Sequence, residues 1–177
     1  MKQKPKMKKS ILHFFLVMFF ACLLLPAGLT ACSSDDEIFP LNDASGQENL
    51  ITFFQKEHLE KGYDRGIPNG FFGDKKNNTC IVVSSREEFL HLYHGNHPLP
   101  EVDFSQKSLI IGQSKVEQGG YFVEKQVLVN KNNEYQLDLY IRLGEGYHDQ
   151  WITLVRYWGI YPKLQKKDVT INLIRLK

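Results

Sequence analysis

Glu87, His91 and His94 are spaced so that a helix would place them along one face. Carboxylate and imidazole groups are good zinc ligands, and His97 lies nearby in the sequence. The alternative is a solvated helix face, on which Glu87 and His91 form an i,i+4 pair. Because no HExxH-type signature accompanies these residues, we expect no metal and no other cofactor.

Nucleophile and phosphate-binding motifs are also missing from the sequence. No serine stands in a G-x-S-x-G pattern, and no glycine-rich phosphate loop is present. Ser84 and Ser85 are better explained as helix caps. We therefore expect that the protein is not an enzyme, and a metal-dependent hydrolase using Glu87, His91 and His94 remains the alternative.

A cluster of aromatic residues near the C-terminus could bind a ligand. Successive side chains of a strand point to opposite faces. One face would carry Trp151, Thr153, Val155, Tyr157 and Tyr161. The other would carry Ile152, Leu154, Trp158 and Ile160, interrupted by Arg156. We predict that this second face is core, that Trp158 is more buried than Tyr157, and that Arg156 lies near an edge with its head in water.

The first face would then display Trp151, Tyr157 and Tyr161, close in sequence to Tyr147. Flat aromatic side chains with a polar tip suit both sugar rings and protein partners. The alternative is that Trp151 only covers an edge of the core, because Trp is usually largely buried.

The N-terminal segment has the pattern of a secretory signal peptide. Residues 1–10 hold five lysines and no acid, and residues 11–25 are almost wholly apolar. This apolar run is shorter than the ~20 residues of a membrane-spanning helix. The segment Leu29–Cys32 resembles a bacterial lipobox, so residues 1–31 are predicted to be removed and Cys32 to be lipidated. An uncleaved amphiphilic anchor is the alternative.

The residues after Cys32 bear on localisation. Residues 33–37 read Ser-Ser-Asp-Asp-Glu and resemble the acidic export tag of Bacteroidetes surface lipoproteins. That resemblance implies a protein anchored by lipid to the outer membrane and exposed on the cell surface. An acidic, unpackable run could also be only a solvated tether.

Charge argues against a nucleic-acid partner. The whole chain has 22 basic and 20 acidic residues, but the five lysines of the signal would leave 17 basic residues. A mature protein with a net charge of −3 has no basic surface of the kind that binds nucleic acid. Cys80 would be its one thiol besides Cys32, and we read it as a small buried hydrophobe in a strand.

The mature chain is predicted to consist of a tether and one domain. Residues 32–49 are the lipidated cysteine and a flexible acidic tether, and residues 50–177 form a single β-rich domain. Ile51–Phe54 is a first candidate strand, although the residues after it could form a helical turn. Residues 62–78 should be mainly loop.

The middle of the domain has the clearest local signals. Residues 79–83 read as a β-branched strand. Ser85 and Glu88 form a capping box at the start of one short helix that ends before Gly95. Five further strands follow: residues 109–112, the two strands of a long hairpin turning at 130–133, residues 151–160 and residues 169–176. The fold class is therefore α+β, a predominantly antiparallel sheet (sandwich or partly open barrel) with one short capped helix.

The order of three motifs resembles the PrcB C-terminal-domain family. They are residues 83–89 (Val-Ser-Ser-Arg-Glu-Glu-Phe), residues 102–105 (Val-Asp-Phe-Ser) and residues 119–121 (Gly-Gly-Tyr), followed by a hairpin and two closing strands. The resemblance covers roughly residues 79–177 and is strongest at Asp103-Phe104 and at Gly119-Gly120-Tyr121. It implies an accessory role without catalytic residues. Asp103 should bond the following turn, and the two glycines should start the hairpin.

Taken together, these patterns predict a surface lipoprotein with a non-catalytic domain that binds a protein partner, as a subunit of a protease complex would. The alternative is a carbohydrate-binding surface lipoprotein that uses the aromatic strand face. The expected partners are the membrane, through the lipid anchor, and a protein, with a glycan as the alternative.

Overall fold

The computed structural model describes residues 36–40, 48–59, 69–73, 77–117, 119–131, 134–145, 153–165 and 167–177. In chain order the elements are β1 (Asp36–Ile38), α1 (Glu48–Lys56), β2 (Thr79–Val83), α2 (Arg86–Leu92), β3 (Lys107–Val116), β4 (Tyr121–Lys131), β5 (Glu134–Leu143), β6 (Thr153–Pro162) and β7 (Val169–Arg175). All of them lie within one compact unit, Ser33–Lys177.

The strands form two sheets among the described residues. The larger sheet has the order β1-β4-β5-β7 and the smaller has the order β2-β3-β6. Every pairing is antiparallel except that of β5 with β7, which is parallel. The fold is thus α+β and predominantly antiparallel, as the sequence predicts, and it forms a sandwich and not a closed barrel.

Two hydrophobic clusters lie on opposite faces of the smaller sheet. One fills the space between the sheets and contains Leu128, Leu137, Val155 and Tyr157. The other lies between the smaller sheet and the helices, with Phe54, Phe89 and Ile111 among its members. The smaller sheet is therefore the middle layer of three, and its strands are buried on both faces.

The hairpin of β4 and β5 has one buried face because its apolar residues alternate with polar ones. Leu137, Leu139 and Ile141 of β5 are fully buried, while the residues between them are half-buried. In β4 the pairing register shifts between Val123 and Lys125, and this bulge interrupts the alternation there.

Helix α2 begins at a serine cap. The Glu88 amide donates to Ser85 Oγ at 3.1 Å, and Glu88 Oε2 accepts from the Ser84 amide at 2.8 Å. The reciprocal bond therefore reaches one residue further back than in the usual capping box, where it returns to the cap residue itself. Phe89 is buried beneath the helix.

Two predictions near the N-terminus are wrong. The tether predicted over residues 32–49 is not free throughout, because Asp36–Ile38 forms β1 and pairs with Leu128–Asn130 of β4. The candidate strand Ile51–Phe54 is instead part of α1, so the described residues contain two helices and not one. Leu50, Phe53 and Phe54 have the i, i+3, i+4 spacing of a helix face, and all three are buried.

The turns around the family-like motifs hold β3 and the hairpin in place. Asp103 Oδ1 accepts from the Ser105 amide at 3.1 Å, and the Lys107 amide donates to the Asp103 carbonyl at 3.0 Å. Phe104 is buried next to Phe89. Gly120 has a φ of 83°, which favours glycine, immediately before buried Tyr121 at the start of β4.

Candidate functional site

The three residues considered for metal binding lie on the surface. Glu87 and His91 are exposed on α2, and exposed His94 follows that helix. Within the described residues no group of three or more His, Cys, Asp or Glu side chains is arranged to hold a metal ion. His94 contributes its backbone instead, since its amide donates to the Gly70 carbonyl at 2.8 Å.

The predicted aromatic binding surface is wrong for Tyr157 and Tyr161. Their side chains are 1% and 0% exposed, whereas Trp158 is only half-buried. The Tyr157 hydroxyl donates to the Thr79 carbonyl at 3.1 Å. Because β6 belongs to the middle layer, both of its faces are covered and neither displays a tyrosine. Tyr147 and Trp151 lie outside the described residues.

Arg156 also differs from the prediction, since it is 3% exposed and not at a wet edge. It lies on the helix side of β6, paired in register with Gln113 of β3. Its Nη1 donates to the His58 carbonyl at 3.5 Å, just beyond α1. The guanidinium thus links the middle sheet to the helix layer.

Cys80 is a half-buried thiol on β2. Burial raises the pKa of Cys80 to about 11, so little thiolate forms at neutral pH. Lipidation at Cys32 concerns a residue outside the described ranges, and that prediction stays a prediction.

A buried carboxylate, Glu57, is the centre of a polar cluster in the helix layer. It follows α1 directly and is 4% exposed. Glu57 Oε2 accepts from the Gly70 amide at 2.8 Å, and Oε1 accepts from the Tyr93 hydroxyl and from His97 Nδ1, the latter at 2.6 Å. Three chain segments that are distant in sequence are thereby joined at one side chain.

Hydrogen bonding keeps Glu57 ionised. Burial by itself would raise the pKa of Glu57, but the donors on His97, Tyr93 and Gly70 outweigh it and lower the pKa below its usual value. Burial, together with the bond to Glu57, raises the pKa of Tyr93 to about 12. The cluster at neutral pH is therefore a carboxylate that accepts from a neutral phenol and an imidazole.

His97 faces both this cluster and an open cleft. Its side chain is 46% exposed. With an ionised carboxylate at Nδ1, that nitrogen carries a proton in either charge state of the ring, so Nε2 is the atom that can accept or donate toward a ligand. The His97 amide also donates to the Tyr93 hydroxyl at 2.9 Å, which fixes the loop that carries the ring.

The cleft beside His97 has a volume of about 350 Å³. One wall is a face of α1, and the other is the segment from His97 to Glu101, with two prolines. The lining residues are Asn49, Thr52, Phe53, Lys56, His97, Pro98, Leu99, Pro100 and Glu101. Phe53 and Pro100 are buried, whereas most of the others are exposed, so the cleft is open to solvent.

Lys56 and Glu101 are the charged side chains in the lining of this cleft, beside His97. Within the described part of the chain Lys56 forms no ion pair, and His97 Nε2 has no bonding partner. Glu101 lies 3.7 Å from an Arg86 guanidinium nitrogen and is 91% exposed on its side chain. Among the described residues, the cleft therefore combines an apolar floor with the Lys56 ammonium group and the His97 Nε2 atom, both open to a ligand.

Sequence reasoning missed this site. Glu57 and His97 are separated by forty positions, and neither belongs to a recognised motif. In the sequence, His97 stands out only as a neighbour of the candidate zinc ligands. One feature of the sequence could have indicated the site. Glu57 continues the spacing of the buried residues Phe53 and Phe54, and a carboxylate on a buried helix face needs hydrogen-bond partners.

Comparisons of the chain with protein-family models, with curated proteins and with solved structures give no match. Among the described residues no helix is long and apolar enough to cross a bilayer.

Proposed function

We propose that the protein is a lipid-anchored lipoprotein of the outer-membrane surface, whose domain binds a segment of a partner protein in the cleft beside His97. The anchor rests on the lipobox-like Leu29–Cys32 and the acidic residues that follow it. Two or more acyl chains on a cysteine suffice for stable membrane association. The resemblance to the PrcB C-terminal-domain family favours an accessory subunit.

The observation that carries the binding proposal is the open cleft with a fixed imidazole at its side. A space of about 350 Å³ is at the low end of ligand-pocket volumes. Because most of the lining is exposed, the cleft fits one or two side chains of a polypeptide lying across the surface better than an enclosed small molecule. Preorganisation of His97 by Glu57 lowers the entropic cost of binding.

The partner segment is defined by the lining chemistry. Phe53, Leu99 and Pro98 suit an apolar side chain, and Lys56 with His97 Nε2 suits a neighbouring carboxylate. A carbohydrate is the weaker alternative, because Tyr157 and Tyr161, two of the four aromatic residues that supported it, are core residues.

Filling the cleft tests the binding proposal. Thr52→Trp places a large side chain in the cleft from an exposed position, and Gln55→Trp on the same helix is the matched control outside the lining. We expect the wild-type protein and Gln55→Trp to co-purify with the same polypeptide from detergent-solubilised membranes, and Thr52→Trp to lose it. Equal retention by all three proteins, or purification of the wild type alone at every salt concentration, would contradict the proposal.

Cys32→Ser tests the anchor. The substitution should abolish incorporation of a fatty-acid analogue and leave the domain folded, because Cys32 precedes the first strand. Labelling of the Cys32→Ser protein at the wild-type level would show that the lipid is attached elsewhere.

A further inference from the structure

The strand β1 shortens the link between the lipid anchor and the domain. Three residues, Ser33, Ser34 and Asp35, separate Cys32 from Asp36. Three residues of fully extended chain span on the order of 10 Å. A tether that stayed free up to α1 would instead contain some fifteen residues, and a flexible chain of that length has a mean end-to-end distance of roughly 20 Å and a contour much longer still.

Side-chain contacts also hold this segment on the larger sheet. Ile38 packs against the core between the sheets. The next residue, Phe39, lies under the Lys125 ammonium group, whose nitrogen is 5.2 Å from the ring centre and equally far from the ring of Tyr140. A cation between two aromatic rings adds to the attraction of the strand pairing. The chain therefore reaches the domain at Asp36 and not at α1.

The register of β1 determines which part of the domain this is. Asp36 pairs with Asn130, and Lys131 pairs with Glu134 across the hairpin. Val169, at the start of β7, pairs with Tyr135. All four strands of the larger sheet thus have an end here, which we call the Asn130 end of the sheet. Gly144 and Glu145 follow β5 at the opposite end, about 30 Å away at the usual rise per residue.

We propose that the Asn130 end of the larger sheet faces the bilayer and is held within about 15 Å of the headgroups, and that the end carrying Glu145 points away from the membrane. This inference rests on the proposed lipid anchor at Cys32. The domain would then have a defined membrane-facing surface, and lipid headgroups would be what that surface contacts. A free tether would leave the domain without a fixed orientation.

Fluorescent probes at the two ends of β5 test the orientation. Glu134 begins β5 and Glu145 lies two residues after its end, and both are exposed. Each is replaced by cysteine in a separate variant, Glu134→Cys or Glu145→Cys. With Cys32 acylated and Cys80 poorly reactive because burial raises its pKa to about 11, each variant labels at one site. The acylated proteins are reconstituted into vesicles of zwitterionic lipid carrying a nitroxide on the headgroup, and quenching is measured.

We expect the probe at position 134 to be quenched several-fold more strongly than the probe at position 145. Releasing β1 with Ile38→Pro and Phe39→Ala should reduce the quenching at 134. The denaturation midpoint should fall, because the contacts of Ile38 and Phe39 are lost, and a transition that remains cooperative shows that the domain is still folded. Co-flotation of the acylated protein with vesicles, absent in Cys32→Ser, verifies the anchor separately.

Equal quenching at the two positions of a protein that floats with vesicles would overturn the orientation and leave the anchor intact. Quenching at 134 that is unaffected by the release of β1 would overturn the role given to that strand. A wild-type protein that does not float would overturn both the anchor and the orientation that rests on it.

Discussion

Glu57 joins three segments at a single side chain, and its charge determines how strongly it holds them. Its carboxylate accepts from Gly70, Tyr93 and His97. A hydrogen bond to a charged group contributes about 1.5–3 kcal/mol. We therefore expect Glu57→Gln to lower the free energy of unfolding by about 2 kcal/mol at neutral pH, measured by denaturant titration.

The same substitution should change the acid dependence of stability. The pKa of Glu57 is lowered in the folded protein, so the unfolded chain takes up the proton first as the pH falls. The stabilisation from Glu57 is full above its ordinary pKa of 4.5 and is lost as the pH falls through the folded-state pKa. The difference between wild type and Glu57→Gln should accordingly shrink below pH 4.5.

Glu101→Gln provides the control for this titration. Glu101 also lines the cleft, but its side chain is 91% exposed, so the substitution should leave the free energy of unfolding nearly unchanged. A stability difference for Glu57→Gln that stays constant through the acid range would contradict the assignment of Glu57 as an ionised, hydrogen-bonded carboxylate.

Tyr157 and Trp158 of β6 differ in burial, so their truncation to alanine should lower the free energy of unfolding by different amounts. It is among the largest fully buried side chains, whereas Trp158 is half-buried and stacks on Phe54 with ring centres 4.3 Å apart. Tyr157→Ala should lower the free energy of unfolding by about 3–5 kcal/mol. This loss should exceed the loss caused by Trp158→Ala in parallel denaturant titrations. A larger loss for Trp158→Ala would contradict the finding that Tyr157 is the more buried of the two side chains.

At the scale of elements, Gly112 explains how the middle sheet accommodates such a large ring. Gly112 on β3 pairs with Tyr157 on β6, and a Cβ at this glycine would collide with the tyrosine ring. Gly112→Ala should therefore cost about 1–3 kcal/mol of unfolding free energy, the usual range for overpacking.

A double-mutant cycle separates this collision from the general effect of alanine in a strand. In a Tyr157→Leu background the ring is absent, so Gly112→Ala should cost much less than in the wild-type protein. Additive losses would indicate that the two side chains do not interact. The reference substitution is Gly73→Ala, where nothing lies within 4 Å of the added Cβ; there the φ of 54° alone should cause a loss.

The elements differ in how far their sequences reveal them. The hairpin of β4 and β5 can be predicted because the buried residues Leu137, Leu139 and Ile141 alternate with residues that are less buried. Strand β6 can be predicted as a strand, but the burial of its two faces cannot, because apolar residues occur on both sides. Such a pattern is typical of a strand in a sheet that is covered on both faces, so the interpretation of one side as a binding surface is wrong.

Helix α1 illustrates a second limit. Ile51–Phe54 is a short apolar run that suits a strand or a helix equally well. The spacing of Leu50, Phe53 and Phe54 favours a helix only when the run is extended by one residue toward the N-terminus. Strand β1 could not be predicted at all, because an acidic run gains its structure from the edge of β4 and not from its own composition.

The candidate site lay beyond sequence reasoning for a related reason. Glu57, Tyr93 and His97 come together through packing of the helix layer on the middle sheet, and that packing leaves no local pattern. The capping box at Ser85 and Glu88, in contrast, is local and could be identified directly.

At the scale of the whole molecule, the layers have separate roles in the proposed account. The larger sheet is joined to the anchor through β1, and the helix layer on the far side of the middle sheet carries the cleft. Membrane attachment and partner binding would therefore use different layers of one domain. A substitution that abolishes one of the two can then leave the other unchanged.

The most direct measurement is site-specific photo-crosslinking in intact cells. A photoreactive residue at position 52 lies in the cleft, and one at position 55 lies on the same helix outside it. The account predicts an adduct with one partner polypeptide from position 52 and none from position 55, and Lys56→Glu should reduce that adduct. Equal adducts from both positions, or no adduct from position 52 while the protein is present at the cell surface, would contradict the assignment of the cleft as the partner-binding site.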